Sequence, residues 1–274
     1  GTLVETRLSM WTDMYADLDP EEALERLLDS SFPVFEFGCT HLAKWVNSGR
    51  NPARLERIAH KVTSAGRRFH QLHAPIMNGL PPEELLPHML TAVDAAAILG
   101  ARWVVVHPVT LPQWAGRDAL DEECVRTNQR YFTEWVDAAT ARGVGIAVEN
   151  MFKGRFGMKS SELLVLLQQF PEEAFGVCWD TSHGELSSPN QAEEMALVKS
   201  RIVATHISDN LGQADDHLYP YRGQVDWAAV VGVLREQPWV LNFEVPGEMS
   251  RCPLELRGAL VEYGFAVGKH LLNL

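Results

Sequence analysis

The chain alternates eight times between a short apolar run, typical of a buried β-strand, and an amphipathic segment, typical of a helix. A β-then-α unit takes roughly 30 residues and a (β/α)8 barrel about 250, so 274 residues accommodate eight units. We therefore predict an α/β protein with a single TIM-barrel domain over residues 1–274. An open doubly wound sheet is the alternative, and it is disfavoured because no glycine-rich loop follows the first strand.

Local signals agree with this alternation. Pro20 and Pro52 lie where a helix would begin, and Gly66, Gly100 and Gly143 lie where a helix would end. The predicted strands are Arg7–Trp11, Val34–Cys39, Phe69–Ala74, Trp103–Pro108, Gly145–Asn150, Gly176–Asp180, Ile202–Ile207 and Val240–Val245. The predicted helices are Glu21–Asp29, Pro52–Ala65, Pro82–Leu99, Glu122–Arg142, Ser161–Gln169, Gln191–Val198, Trp227–Glu236 and Leu254–His270.

Six of the predicted strands end in a side chain that can bind a metal ion. A buried strand gains nothing from such an ending, because an unpaired buried charge costs several kcal/mol. In a parallel barrel alternate residues point inward and all strands end at one face, so these side chains are expected to meet in one pocket. The six residues are His73, His107, Glu149, Asp180, His206 and Glu244.

The loops after two of these strands add further candidate ligands. His183 follows a strand-end aspartate by three residues, and Asp215 and His217 have a spacing at which an acid and an imidazole can grip one ion. We treat these three residues, with His73 and His107, as additional metal-binding or substrate-binding candidates.

Glu149, Asp180 and Glu244 would repel one another in this pocket unless a cation neutralised them. With His206 they form a mixed nitrogen and oxygen set suited to Mn²⁺, Mg²⁺, Co²⁺ or Zn²⁺, without the thiolates that would single out zinc. The predicted cofactor is therefore a divalent metal of unspecified kind. Glu36, in the second strand, is expected either to reach this pocket or to be an ordinary buried, paired glutamate.

In these motifs the chain resembles the xylose-isomerase-like barrel superfamily, which groups sugar phosphate isomerases and epimerases with apurinic endonucleases. The motifs occur in order from the third strand to the eighth. They are His73-Ala74-Pro75, His107-Pro108, Glu149-Asn150, Asp180-Thr181-Ser182-His183, His206-Ile207-Ser208-Asp209-Asn210, Asp215-Asp216-His217-Leu218 with Gly223-Gln224-Val225-Asp226-Trp227, and Glu244-Val245.

The resemblance implies that Glu149, Asp180, His206 and Glu244 hold a divalent ion and that His183 contacts a substrate oxygen. In ketose epimerases of the superfamily the two glutamates also serve as acid and base. The expected activity is isomerisation or epimerisation of a small polyhydroxylated carbonyl compound, in which Glu149 and Glu244 remove and return a proton through a metal-stabilised enediolate.

The endonuclease branch implies a second interpretation, multi-zinc phosphodiester hydrolysis, because its three-zinc site uses additional histidines. A net charge of -12 and the lack of an evident basic rim argue against nucleic acid as a partner. A third interpretation, sugar binding without turnover, requires both glutamates to be non-catalytic. In the multi-zinc interpretation, the resemblance implies three sets of ligands. His73, His107 and Glu149 would hold one ion, Glu149, Asp180, His206 and Glu244 a second, and His183, Asp215 and His217 a third.

Three further residues are candidates for contacting the substrate. Arg222 stands where relatives often have a small residue and would clamp a carboxylate or phosphate, with a surface arginine as the evenly weighted alternative. Trp11 and Trp114 are candidate pocket walls. Lys153 and Arg155 lie in the loop after the fifth strand and would meet an anionic group if they turn inward, although solvated loop charges are the default expectation.

Cysteine usage and apolar patterning bear on the compartment. The four cysteines are widely spaced, and we find neither an 18-residue apolar run nor a basic-then-apolar leader. These features predict reduced thiols and a cytoplasmic protein with no membrane partner. The predicted partner is the small polyhydroxylated substrate, and homo-oligomerisation stays open.

Overall fold

Eight parallel strands form a nearly closed barrel in the computed structural model, which describes residues 5–76, 80–114, 122–235, 237 and 240–274. Each strand pairs with the next in the chain from the first to the seventh, and the first also pairs with the eighth. The predicted single (β/α)8 barrel is confirmed. The strands are β1 (Leu8–Trp11), β2 (Val34–Phe37), β3 (Arg68–His73), β4 (Trp103–Val106), β5 (Gly145–Glu149), β6 (Phe175–Asp180), β7 (Ile202–His206) and β8 (Leu241–Phe243).

Helices lie between successive strands, and four short 3₁₀ turns accompany them in the described residues. The turns are Glu5–Arg7, Thr12–Tyr15, Pro112–Trp114 and Lys199–Arg201. The helices are α1 (Pro20–Leu28), α2 (Cys39–Asn47), α3 (Pro52–Ser64), α4 (Pro82–Leu99), α5 (Glu122–Thr140), α6 (Ser160–Gln169), α7 (Thr181–Ser187), α8 (Gln191–Val198), α9 (Trp227–Leu234), α10 (Pro246–Met249) and α11 (Leu254–Leu272).

All eight predicted strands and all eight predicted helices overlap an element of the structure. The helix-ending glycines Gly66, Gly100 and Gly143 have φ angles of 72°, 77° and 71°, a left-handed conformation that glycine adopts without steric cost. Three helices, α2, α7 and α10, were not predicted, and each begins within three residues of a strand end. Glu236, at the end of a predicted helix, lies outside the described residues.

Small side chains fill the barrel interior beneath the predicted pocket. Val105, Ala147, Cys178 and Ala204 pack with Trp103 in a cluster of their own. Each of the first four lies two residues before a predicted ligand, so the alternation that turns it inward also turns the ligand inward. The ligands therefore form the layer above an apolar floor.

The barrel closes between β7 and β8 through side chains as well as backbone. The Ile207 N–H donates to the Asn242 carbonyl at 2.8 Å. The Thr205 hydroxyl donates to the Val240 carbonyl at 2.7 Å and accepts from the Asn242 N–H at 3.0 Å. One buried hydroxyl thus joins the last two strands.

Replacing this hydroxyl by a methyl group is expected to weaken the closure. Thr205→Val leaves a buried carbonyl and a buried N–H without a partner, so the free energy of unfolding should fall by about 1–3 kcal/mol. Urea denaturation followed by circular dichroism measures this change. Thr205→Ser, which keeps the hydroxyl, is the control and should lose less. A valine variant as stable as the unchanged protein would contradict the assignment.

No helix of the described residues is both long and apolar enough to cross a membrane. The four cysteines are free thiols. Cys124 and Cys178 are buried, and Cys178 belongs to the barrel interior. The cysteines of this chain therefore contribute packing and form no covalent cross-links to one another.

Candidate metal centre

Four of the predicted side chains converge at the carboxyl-terminal end of the barrel. His73, Glu149 and His206 are the last residues of β3, β5 and β7, and Glu244 directly follows β8. One ligand atom from each lies within 4.8 Å of the others. We call these four residues the central group. Three of them line a cavity of about 440 Å³, the size of a small-molecule site.

His206 lies at the middle of the central group. Its Nε2 donates to Glu36 Oε2 at 2.8 Å, which places a proton on Nε2 and turns Nδ1 toward the pocket. This Nδ1 faces Glu149 Oε1 at 2.6 Å and Glu244 Oε2 at 3.1 Å. All three atoms are of a kind that binds divalent metal ions. Three potential ligand atoms therefore face one another at short range.

The sequence left open whether Glu36 reaches the pocket or is an ordinary buried, paired glutamate. It is fully buried inside the barrel and accepts from the Gln71 amide at 2.7 Å as well as from His206. It does not line the cavity, so it acts on the site through the orientation of the His206 ring. A carboxylate behind a ligating histidine fixes the tautomer of the ring and makes the facing nitrogen more basic.

Burial and neighbouring charges shift the pKa values of the central group in opposite directions. Burial alone would lower the pKa of His206, but the surrounding acidic groups hold this pKa well above its usual value. Burial raises the pKa of Glu244 to about 8. Burial also opposes the ionised form of Glu149, yet the charges of His107 and His206 hold the pKa of this carboxyl well below its usual value. The group therefore favours positive charge at its centre.

His73 and His107 stand beside Glu149. His107 Nε2 lies 2.9 Å from Glu149 Oε2, and His73 Nε2 lies 3.8 Å from Oε1. The Nδ1 of His73 donates to the Ala74 carbonyl at 2.6 Å, so the lone pair of Nε2 is turned toward the glutamate. Burial lowers the pKa of His73 to about 4, which keeps the ring neutral and able to act as a ligand.

A second set of ligand atoms adjoins the first. One ligand atom each of Asp180, His183 and His217 lies within 4.8 Å of the other two. Asp215 Oδ2 lies 2.8 Å from His217 Nε2 and 3.1 Å from His183 Nε2, so it bridges the two rings. We call Asp180, His183, Asp215 and His217 the second group.

The histidines of the second group are embedded among acids. Burial by itself would lower both pKa values, but Asp180 and Asp215 together raise the pKa of His183 to about 10. Asp215 and Asp180 likewise raise the pKa of His217 to about 9. The acids of the second group, like those of the central group, thus attract positive charge.

Asp180, predicted from the sequence as a metal ligand together with Glu149, His206 and Glu244, lies beside the central group as a member of the second group. Its Oδ1 accepts the His183 N–H at 2.9 Å and caps α7, and its Oδ2 lies 3.8 Å from His206 Nδ1. The central group instead contains His73, whose ring stacks on that of His206 at 5.3 Å between centroids. Asp180 Oδ2 has no hydrogen-bond partner and lies between the two groups.

The loop that carries Asp215 and His217 is held by one buried aspartate. Asp209 accepts hydrogen bonds from the backbone N–H groups of Asn210, Tyr221 and Val225, and from the Trp227 indole, at 2.8–3.1 Å. A carboxylate with four donors spans the loop from its first residue to the start of α9. The sequence motif Ser208-Asp209-Asn210 therefore serves to shape the loop.

Removing this carboxylate is expected to loosen the loop. Asp209→Ala strands four N–H groups in buried or half-buried positions, so the free energy of unfolding should fall by about 3 kcal/mol. Asp216→Ala in the same loop is the matched control. Asp216 accepts a single hydrogen bond at 3.4 Å, and its loss should cost about 0.5 kcal/mol or less. Equal stabilities of the two variants in urea denaturation would refute this role for Asp209.

The three predicted substrate-binding residues take different positions. Trp11 lines the cavity, whereas Trp114 is fully buried and is absent from the described cavity wall. Arg222 pairs with Glu248 at 3.1 Å and lies over the ring of Tyr263 on the outer helix α11, so it also does not line the cavity. Of the three predicted substrate-binding residues, only Trp11 therefore lines the described cavity.

Several site residues were not singled out by the sequence. Asn150 accepts from the Asp180 N–H and its backbone carbonyl accepts from His183 Nδ1. Gln71 lies two residues before His73 in β3, so strand alternation was the signal available for it. Asp13 lies in the 3₁₀ turn after β1, where strand alternation gives no signal. Asp13 lines the cavity and accepts from backbone N–H groups at the start of α2.

Residues 24–259 match a family model described as "Xylose isomerase-like TIM barrel". The chain belongs to this family. The resemblance drawn from the motifs is thereby confirmed, and it extends over most of the chain. One relative is the uncharacterized protein y4fM of Sinorhizobium fredii, which is 28% identical, with 89% of this chain and 88% of the relative covered.

Solved structures share the barrel at low sequence identity. A D-psicose 3-epimerase determined in the presence of D-fructose superposes with a TM-score of 0.78 at 10% identity, covering 98% of this chain and 100% of the other. The IOLI protein with a binding zinc atom superposes with a TM-score of 0.76 at 17% identity, covering 97% and 96%. These likenesses establish the fold that this xylose isomerase-like chain shares with them.

Proposed function

We propose that this protein is a divalent-metal-dependent isomerase or epimerase of a small sugar or a similar polyhydroxylated carbonyl compound. The observation that carries the proposal is His206 Nδ1, which lacks a hydrogen-bond partner and faces the carboxylates of Glu149 and Glu244 at the floor of the cavity. The barrel shared with a D-psicose 3-epimerase supports the substrate class.

The residues present fit a divalent ion. Imidazole nitrogen and carboxylate oxygen are ligands that Mn²⁺, Co²⁺ and Zn²⁺ accept, and the central group offers two of each. The unpartnered Glu149 Oε1, His206 Nδ1 and Asp180 Oδ2 are buried polar atoms, which proteins rarely leave unsatisfied. We assign His73, Glu149, His206 and Glu244 as ligands, with Asp180 completing the set from the side of the second group.

A divalent ion held here would polarise a carbonyl oxygen and stabilise the negative charge that develops when the neighbouring C–H loses its proton. The chain supplies the groups that move the proton. Glu149 and Glu244 come from strands on different sides of the barrel and both approach His206. In our proposal one glutamate removes the proton and the other returns it.

The two glutamates differ in their access to the cavity. The side chain of Glu244 is 14% exposed and that of Glu149 is 1% exposed, because His107 and His206 flank the latter. Glu244 therefore has the freer approach to a bound substrate. His183, whose Nδ1 is held by the Asn150 carbonyl, lines the same cavity and is placed to contact a substrate oxygen.

Apolar side chains form part of the cavity wall. They are Trp11, Ile76, Met151, Phe152 and Met249. Such a wall contacts the C–H faces of a sugar and excludes water from the reacting carbon. The arrangement suits a compact substrate that presents both C–H groups and polar groups to the cavity wall.

Multi-zinc phosphodiester hydrolysis is the second candidate function. The observation that favours it is the second group, because Asp180, His183 and His217 bring ligand atoms within 4.8 Å beside a central group that already has four. Against a nucleic-acid substrate stands the cavity wall, which in its described part contains one arginine and no lysine. The number and kind of bound ions separates the two functions.

Metal content is the first test. Protein purified without a tag should contain about one Mn, Mg or Co per chain by elemental analysis, whereas two or three zinc ions per chain would favour the hydrolase. At about a hundredfold excess over its Kd the ion should raise the melting temperature by about 5 °C. His206→Ala should abolish this rise, and His60→Ala, at an exposed helix position, should retain it. Absence of any bound metal in the unchanged protein contradicts the proposal.

Proton transfer is the second test. When tetroses, pentoses and hexoses are incubated with the metal-loaded protein in D₂O, deuterium should enter the carbon next to the carbonyl of a substrate, as measured by NMR. Glu244→Gln and Glu149→Gln should slow this entry by about 10²–10⁴-fold, because a positioned base is lost. The exposed Glu255→Gln is the control and should leave the rate unchanged. Deuterium entry at an undiminished rate in both glutamine variants would rule out this mechanism, and binding without deuterium entry would indicate a sugar-binding protein.

A further inference from the structure

Arg155 is the one arginine or lysine in the described wall of the cavity. It belongs to the loop that follows β5, the strand that supplies Glu149. Its side chain is half-buried and forms no ion pair with a described acidic residue. A positive charge in a site rich in acids therefore remains without a partner on the protein.

The guanidinium of Arg155 is held over the site by stacking. Its Cζ lies 5.3 Å from the centre of the Phe152 ring, within the range of a cation–π contact. The Phe152 ring in turn lies 4.8 Å from the ring of His183, a member of the second group. Arg155, Phe152 and His183 thus form a stack that runs from the loop to the ligands.

The loop itself is anchored on both sides. The Met151 N–H donates to the Gly157 carbonyl at 3.0 Å and closes the loop at its base. Lys153, at the tip, is exposed and donates to the Gln213 carbonyl at 3.0 Å, outside the cavity wall. The structure therefore separates the two basic residues of this loop, and only Arg155 faces the cavity.

The acids of the described cavity wall are directed at groups other than Arg155. Asp13 accepts from two backbone N–H groups, Asp215 bridges two histidines, and Glu149 and Glu244 face His206. None of these four acids forms an ion pair with Arg155. A guanidinium binds a carboxylate or a phosphate through paired hydrogen bonds, and it does so more strongly where water is partly excluded.

We propose that the ligand of this cavity carries an anionic group, a carboxylate or a phosphate, and that Arg155 binds it. The inference rests on the proposed function for the other end of the ligand, whose carbonyl would lie over the central group. A cavity of about 440 Å³ accommodates a molecule of sugar-acid or sugar-phosphate size.

Calorimetric titration of the metal-loaded full chain tests this proposal with two matched pairs of probes. The first pair is D-fructose 6-phosphate and D-fructose, and the second is D-galacturonate and D-galactose. In the unchanged protein at least one anionic sugar should bind about tenfold or more tightly than its neutral partner, because a charge-assisted bond is formed. The pair that shows the preference identifies the anionic group.

Three variants assign the preference to Arg155. Arg155→Gln should abolish the preference, because the anionic sugar loses its charged partner. Arg155→Lys, which keeps the charge and tests for a folding defect, should retain part of it. Lys153→Gln removes a positive charge from the same loop outside the cavity and should retain all of it. Circular dichroism in the near ultraviolet confirms that each variant is folded.

Two results would overturn the inference. One is that neither anionic sugar binds more tightly than its neutral partner to the unchanged protein. The other is that the preference survives in Arg155→Gln, which would place the anion on the metal-centre residues. Deuterium entry into a neutral sugar together with either result would leave the proposed function standing, whereas anion binding through Arg155 without deuterium entry into any sugar would reject the function and keep the anion site.

Discussion

The contact of His206 Nδ1 with two buried carboxylates is the constraint on which the site depends. The His206 ring is held by Glu36, so that Nδ1 faces Glu149 and Glu244 in a part of the protein from which water is largely excluded. Two carboxylates this close repel at low dielectric, and a positive charge between them relieves the repulsion. The acids of the central group therefore hold the pKa of His206 well above its usual value.

The barrel provides this arrangement through the alternation of its strands. Val105, Ala147, Cys178 and Ala204 fill the interior with apolar volume, and the residue two positions after each of them is a polar ligand. Short strands bring these ligands to one level, where the loops begin. Rigid strands therefore hold the central group, while loops held by single residues such as Asp209 hold the rest.

The strand ends were predictable from the sequence because strand alternation and parallel pairing act locally and repeat. The same reasoning placed six strand-end ligands in one pocket, namely His73, His107, Glu149, Asp180, His206 and Glu244. It did not predict that Asp180 would cap α7 and stand between two groups, because α7 begins directly at the ligand and leaves no periodic signal. Nor did it single out Asn150, whose role depends on the pairing of β5 with β6.

The two loop arginines show most clearly what could not be predicted from the sequence. From the sequence, Arg222 was given even odds of binding an anion, whereas a solvated loop charge was the default expectation for Arg155. In the tertiary structure Arg222 turns outward to Glu248, and Arg155 stacks on Phe152 over the cavity. Side-chain direction in a loop depends on non-periodic backbone angles and distant partners, which no local pattern encodes. The sequence by itself determined the barrel, the ligand types and their common face, because these follow from periodicity; only tertiary packing decided which ligands share a centre and which charge remains free.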